Sequence, residues 1–279
     1  MLLSEAFDAY LSDRIQMRGQ STRTEELHTV CKRLALEALG DLSVSELDIG
    51  SVRRFSDHIR KTRQQNTVRV YMVRFRAVIG YLNILGIPTI RAELVTLPKR
   101  QDVVPVFLTG SEVSAMIACA YNVRNAFIIS LLYSSGIRLS ELISLNRGQI
   151  VDRSFTVIGK GHKPRLCFID ERTEQLMDVY LSSRHDNCDA LVVSFEHKQR
   201  MTATNIQLLI RNSANRAGIK KKVTPHTLRH TFATNFLRNN GNMRYLSSLL
   251  GHASMDTTAM YAHVVDVDLR KQYEAYHSC

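Results

Sequence analysis

A chain of 279 residues, 44% of them hydrophobic, has room for two ordinary domains with buried cores. No run approaches the ~20 apolar residues of a membrane span, no basic cleavable leader opens the chain, and the five cysteines (Cys31, Cys119, Cys167, Cys188, Cys279) are scattered without a C-x-x-C pair. Membrane, secreted and disulfide-scaffold classes are therefore set aside, and reduced thiols in a cytoplasmic protein are expected.

Net charge is +11. Residues 1–97 carry 14 basic and 11 acidic side chains and the remainder 23 and 15, or +3 and +8. Such an excess points to a polyanionic partner, nucleic acid above all, bound with release of counterions.

Residues 1–97 read as a helical domain. Leu3, Ala6, Phe7, Tyr10, Leu11 and Arg14 share one helix face. Ser21 to Glu25 offers N-cap residues for a second helix, with Val30, Leu34, Leu36 and Leu39 before Gly40 stops it. Val52, Phe55 and Ile59 form a third stripe. Asn66-Thr67 is read as the cap of a fourth helix whose stripe is Val70, Val73, Val78, Tyr81, Leu82 and Leu85, ended by Gly86 and Pro88. Arg69, Arg74 and Arg76 lie beside that stripe, where a DNA-binding domain would lay basic helices against phosphates.

Residues 98–106, with two prolines and no periodicity, read as a linker. Residues 107–279 form the second domain. Thr109-Gly-Ser-Glu112 is a capping signature, and Val113–Ala120 and Ala126–Ser134 are apolar enough for buried helices. Arg138 follows Gly136 among apolar residues, with Glu141 one helical turn on. Phe155–Ile158 and Arg165–Ile169 are β-rich and flank Gly159-Lys160-Gly161, a hairpin with a glycine-flanked lysine at its tip. A helix over Glu171–Ser183, a short strand over Leu191–Phe195 and an amphipathic helix over Thr202–Ala217 follow.

Then comes Lys221-Lys-Val-Thr-Pro-His226-Thr-Leu-Arg229-His230. Between His197 and Met255 there are ten Lys or Arg and no Asp or Glu. Imidazoles beside a guanidinium in an acid-free field suit a phosphate. Tyr245–His252 reads as a helix, and Asp256–His263 as the start of another, carrying Tyr261.

Two arginines, a hairpin lysine, two imidazoles and a helical tyrosine fit one reaction. Guanidiniums clamp the non-bridging oxygens of a phosphodiester bidentately. A tyrosine can be the covalent nucleophile, and a lysine can protonate the leaving oxygen. The cations come from side chains, so no cofactor and no metal is expected.

Gly136-Ile-Arg138-Leu-Ser-Glu141-Leu, Gly159-Lys160-Gly, His226-Thr-Leu-Arg229-His230, Leu249-Leu-Gly-His252 and Thr257-Thr-Ala-Met-Tyr261-Ala-His263 occur in one order. Together they resemble the boxes of the tyrosine recombinases, the phage integrase family, most closely the Xer-type recombinases. The resemblance spans nearly the whole chain and implies a mainly α protein with a small β-hairpin in its catalytic domain. It implies a helical core-binding domain and a catalytic domain forming a clamp around double-stranded DNA. It implies site-specific recombination by a homo-tetramer on two duplexes, with a related recombinase or a regulatory protein as a further partner, through a 3′-phosphotyrosyl link, without metal or ATP.

Residue by residue, the resemblance implies that Arg138 and Arg229 bind the scissile phosphate and that Lys160 protonates the leaving 5′ hydroxyl. His226 is the acid/base partner, His252 hydrogen-bonds the phosphate and Tyr261 is the nucleophile. Glu141 supports Arg138, and His230 braces the fold. Pro164 departs from the usually polar hairpin, so Lys163 stands as a second candidate for the lysine. The helical domain starts at the first residues, which implies a recombinase without an arm-binding domain. The tail 264–279 has the length to contact a neighbouring subunit.

Three other readings compete with this one. His226 and His230 have the i, i+4 spacing of zinc ligands, but Thr227 stands where a zincin has glutamate and no acid or cysteine lies near. A DNA-binding protein without chemistry fits the charge but not the full set of reactive groups. A type IB topoisomerase-like relaxase would use the same chemistry on one duplex.

Overall fold

The computed structural model describes residues 1–18, 22–101, 105–159, 163–196 and 198–251. Among the described residues it is mainly α, with eleven α-helices, two short 3-10 helices and one two-stranded sheet. The chain divides into two compact units, Met1–Val103 and Val104–Cys279. No described helix is long and apolar enough to cross a membrane.

The first unit holds α1 (Leu3–Arg18), α2 (Thr22–Leu39), α3 (Ile49–Arg60) and α4 (Gln65–Ile84). Leu3, Ala6, Phe7 and Tyr10 of α1 and Val52, Phe55 and Ile59 of α3 are buried on the expected faces. Two stripes differ from the sequence reading. In α2 the buried positions are His28, Cys31, Leu34 and Ala35, and Val30, Leu36 and Leu39 sit at the edge of the core.

In α4 the core takes Val68, Tyr71, Met72, Phe75, Val78, Ile79 and Leu82, while Val70, Val73 and Leu85 are exposed. This helix is apolar on most sides, so periodicity alone does not fix its phase. Packing does: Phe75 meets Phe7 and Phe55 with ring centroids at 6.3 and 4.8 Å, and aromatic rings bury the most area. Gln64, not Asn66-Thr67, occupies the N-cap. Gln65 and Asn66 instead donate to the carbonyls of Lys99 and Gln101, and Arg69 donates to that of Pro98. Three carbonyls of the segment 98–101, those of Pro98, Lys99 and Gln101, are thus satisfied on α4.

The second unit begins with the capping box read from the sequence. The Thr109 hydroxyl accepts from the Glu112 N–H at 3.1 Å and Glu112 accepts from the Thr109 N–H at 2.7 Å. It opens α5 (Gly110–Ala118); α6 (Val123–Ser135) and α7 (Leu139–Ser144) follow. The centre is α6, where Phe127, Ile128, Ile129, Leu131 and Leu132 are all fully buried.

Strands β1 (Ser154–Ile158) and β2 (Pro164–Phe168) pair antiparallel, with Phe155 opposite Cys167 and Val157 opposite Arg165 on the inner face. Then come α8 (Glu171–Ser182), α9 (Ala203–Arg216), α10 (Pro225–Arg238) and α11 (Met243–Leu250). Leu191–Phe195 is not a strand of a sheet. Among the described residues its pairing is limited to the isolated bridge of Val193 with Arg200 and single backbone bonds to Leu145, Gln199 and Met201; Leu191, Val192 and Val193 are buried as a loop.

Candidate active site

Gly136 closes α6 in the left-handed region at φ 62°. A side chain there would bring its Cβ within 2.4 Å of the Phe232 ring, so glycine is required on backbone and packing grounds alike. The reversal sends Ile137 into the core and places Arg138 at the N-cap of α7.

Glu141, one turn into α7, reaches back. Its Oε2 accepts from the Arg138 N–H at 2.7 Å and its Oε1 from Arg138 Nη1 at 2.9 Å. The capping position and the ion pair are one interaction, which orients the guanidinium.

A second guanidinium shares that carboxylate. Arg165 of β2 donates from Nη1 to Oε1 at 2.7 Å and from Nη2 to Oε2 at 2.5 Å. The sequence reading missed it. The signal lay in the two-residue period of β2, where Arg165 is in phase with buried Cys167 and opposite exposed Leu166 and Phe168. A charged residue on the inner phase of a strand needs a buried partner. Burial by itself would raise the Glu141 carboxyl; hydrogen bonds from Arg165, then from the Arg138 backbone and side chain, overrule it and hold it down to about 2. One carboxylate against two guanidiniums leaves one net positive charge.

Helix α10 supplies the next groups. Thr224 caps it, with Pro225 at its first position, which sets φ for helix entry without losing a needed N–H. His226 and Arg229 follow three residues apart and so share a face. Arg229 is 2% exposed; its Nη1 donates to Gly136 O and its Nη2 to Leu250 O, both at 2.7 Å. His226 is exposed at the mouth of the cleft; partial desolvation there, then Arg229 and Arg138, push its pKa below the ordinary imidazole value. The His226 and His230 rings meet edge-on with centroids 4.3 Å apart.

The end of α11 closes the site. Its last carbonyls lack helical partners and form the negative end of the helix dipole. Leu249 O accepts from Arg165 Nε at 2.8 Å, Leu250 O from Arg229, and Gly251 O from Arg138 Nη2 at 3.3 Å.

Arg138, His226 and Arg229 line one cleft of about 380 Å³. A larger depression of about 950 Å³ adjoins it at Gln207 and Thr224 and is lined by Arg211, Lys220, Lys221 and Lys222. Lys221 pairs with Glu112 at 2.7 Å. Of the six residues singled out in the sequence, these three are brought together; Lys160, His252 and Tyr261, and the tail 264–279, lie outside the described residues. Lys163, the second lysine candidate, is exposed, and its carbonyl accepts from the Gly159 N–H at 3.0 Å.

The model of the phage integrase family matches residues 106–267. Among similar proteins, tyrosine recombinase XerA of Thermococcus kodakarensis is 32% identical over 277 residues, covering 97% of this chain and 93% of that protein. Tyrosine recombinase XerD of Oceanobacillus iheyensis is 35% identical over 193 residues; that match spans 64% of this chain and 65% of the relative, just under two thirds of its length. A lambda integrase tetramer bound to a Holliday junction shares the fold, with a TM-score of 0.80 at 14% identity over 94% of this chain and 77% of that one.

Proposed function

Because the chain belongs to the phage integrase family, we propose that it is a site-specific DNA recombinase that cuts and rejoins strands through a 3′-phosphotyrosyl intermediate. The observation that carries this reading is the convergence of Arg138 with His226 and Arg229, which lie far from it in sequence, on one cleft. Two guanidiniums there can hold the two non-bridging oxygens of a phosphodiester and stabilise the charge that builds on them during attack.

In this reading Tyr261 attacks phosphorus, its proton passing to His226. The phosphorus–5′-oxygen bond breaks, and the leaving oxygen takes a proton from Lys160. His252 donates to a phosphate oxygen, while Glu141 holds Arg138 and His230 braces α10. The reverse step, with the 5′ hydroxyl of another strand as nucleophile, rejoins the DNA. One phosphodiester replaces another, so no ATP is consumed. The lowered His226 pKa favours the neutral imidazole, the form that accepts a proton.

Residues 1–97 serve as the core-binding domain and 107–279 as the catalytic domain, joined by 98–106, and both bind duplex DNA. The depression lined by Arg211, Lys220 and Lys222 supports a track for the phosphate backbone. Four copies on two duplexes, each tail 264–279 contacting a neighbour, would act in the cytoplasm; the DNA-bound tetramer of a protein of the same fold supports this assembly.

The test is a plasmid carrying two copies of the site that the protein selects from a DNA library, incubated in chelator without ATP. Deletion or inversion between the copies is expected. Relaxation of supercoils without exchange would instead identify a relaxase.

A further inference from the structure

We propose that Arg165 is a positioning residue of the phosphate site: through Glu141 it fixes Arg138, and through Leu249 it fixes the end of α11. This rests on reading Arg138 as a phosphate-binding group.

Each oxygen of Glu141 accepts from both arginines. Oε1 takes Arg165 Nη1 and Arg138 Nη1; Oε2 takes Arg165 Nη2 and the Arg138 backbone N–H. The carboxylate that aims Arg138 is therefore itself aimed by Arg165. Both members of the inner pair are nearly closed to solvent, with side-chain exposures of 7% for Arg165 and 6% for Glu141, whereas Arg138 is 33% exposed. The rigid half of the triad is buried and the working half faces the cleft.

The third Arg165 donor, Nε, binds Leu249 O at 2.8 Å. Consecutive carbonyls at the end of α11 thus accept from Arg165, Arg229 and Arg138 in turn. Gly251 makes room for this: it sits at φ 61°, and a Cβ on it would come within 2.8 Å of Arg165 Cδ. A planar fork with a separate Nε is what the geometry uses, and lysine, a single flexible ammonium, cannot supply it.

Arg165 could instead only fasten the hairpin to the body. The two roles separate on a neutral substrate. A methylphosphonate at the scissile linkage removes a non-bridging charge and with it much of the demand on Arg138. The experiment measures covalent adduct formation by the full chain in single turnover, on phosphate and on methylphosphonate duplexes, for wild type and Arg165→Lys. On phosphate the variant is expected to be about 100-fold slower, the usual cost of misplacing a catalytic contact by an ångström. On methylphosphonate the loss should shrink to less than about tenfold, because less charge develops there. Equal losses on both substrates, or no loss on phosphate, would overturn the proposal.

If Arg165→Lys does not fold, Glu141→Asp, which keeps the charge and shortens the reach, carries the same comparison with the same outcomes. Relaxation of the Arg138 Nε–Hε group by NMR, without DNA, reads the tether apart from chemistry. It should show greater mobility in the variant, and unchanged mobility would overturn the proposal. If wild type forms no adduct on phosphate DNA, the recombinase reading fails, and the relaxation result still decides the tether.

Discussion

Replacing Glu141 with glutamine removes the only carboxylate from the Arg138–Glu141–Arg165 triad and raises its net charge from one to two. Breaking a buried pair by removing one partner costs about 3–5 kcal/mol, mostly from the charge left behind. Arg138 is a third exposed, so solvent screens its share, and the cost falls mainly on Arg165. We therefore expect the low end, about 3 kcal/mol. For a unit of this size that lowers the melting temperature by roughly 6–12 °C.

Differential scanning calorimetry suits the measurement because two units can melt in separate transitions. Glu141→Met with Arg165→Met should recover at least ~1 kcal/mol over the sum of the single changes, since each alone strands a buried group and the pair does not. There is also a pH signature. The folded carboxyl titrates at about 2, below its ordinary value of 4.5. Its stabilisation is present above pH 4.5 and is lost as pH falls from there toward 2; Glu141→Gln should lack that loss. A melting temperature for Glu141→Gln within a degree of wild type, or a strictly additive double variant, would refute the reasoning.

Gly136→Ala forces a left-handed alanine and drives Cβ to 2.4 Å from the Phe232 ring; it should cost about 2–4 kcal/mol in urea unfolding. His226 has a depressed pKa, so the folded state resists its protonation. The resulting stability is present above pH 6.5 and fades as pH drops below it, and His226→Gln should flatten the decline in stability between pH 7 and 5. Lys160→Ala should slow cleavage of an ordinary 5′-oxygen linkage by about 10²–10⁴-fold, the usual contribution of a general acid. A 5′-thio leaving group, which departs unprotonated, should restore most of the rate; the single-turnover rate pair checks this.

Local rules carried much of the fold. The Thr109 capping box, the apolar helix over Ala126–Ser134 and the strands around the hairpin are encoded by residues a few positions apart, so sequence patterns expose them. The phase of α4 was not legible, because apolar residues on most sides leave the choice to Phe7 and Phe55, which are distant in sequence. Glu141 was readable as a partner of Arg138 at one helical turn. Arg165 was not, because β alternation marks it as inward-facing without naming its partner, and Glu141 lies 24 residues away on another element. The carbonyls of Leu249, Leu250 and Gly251 have no side-chain signature at all; their role exists only once α11 ends against the three arginines.

The most direct test of the catalytic assignment is the identity of the covalent link. A duplex bearing the selected site, nicked just beyond the scissile phosphate so that the freed 5′ fragment diffuses away, should trap the protein on DNA. Peptide mapping by mass spectrometry should place a 3′-phosphate ester on Tyr261, and Tyr261→Phe should form none. An adduct on another residue, or one that persists in Tyr261→Phe, would contradict the account.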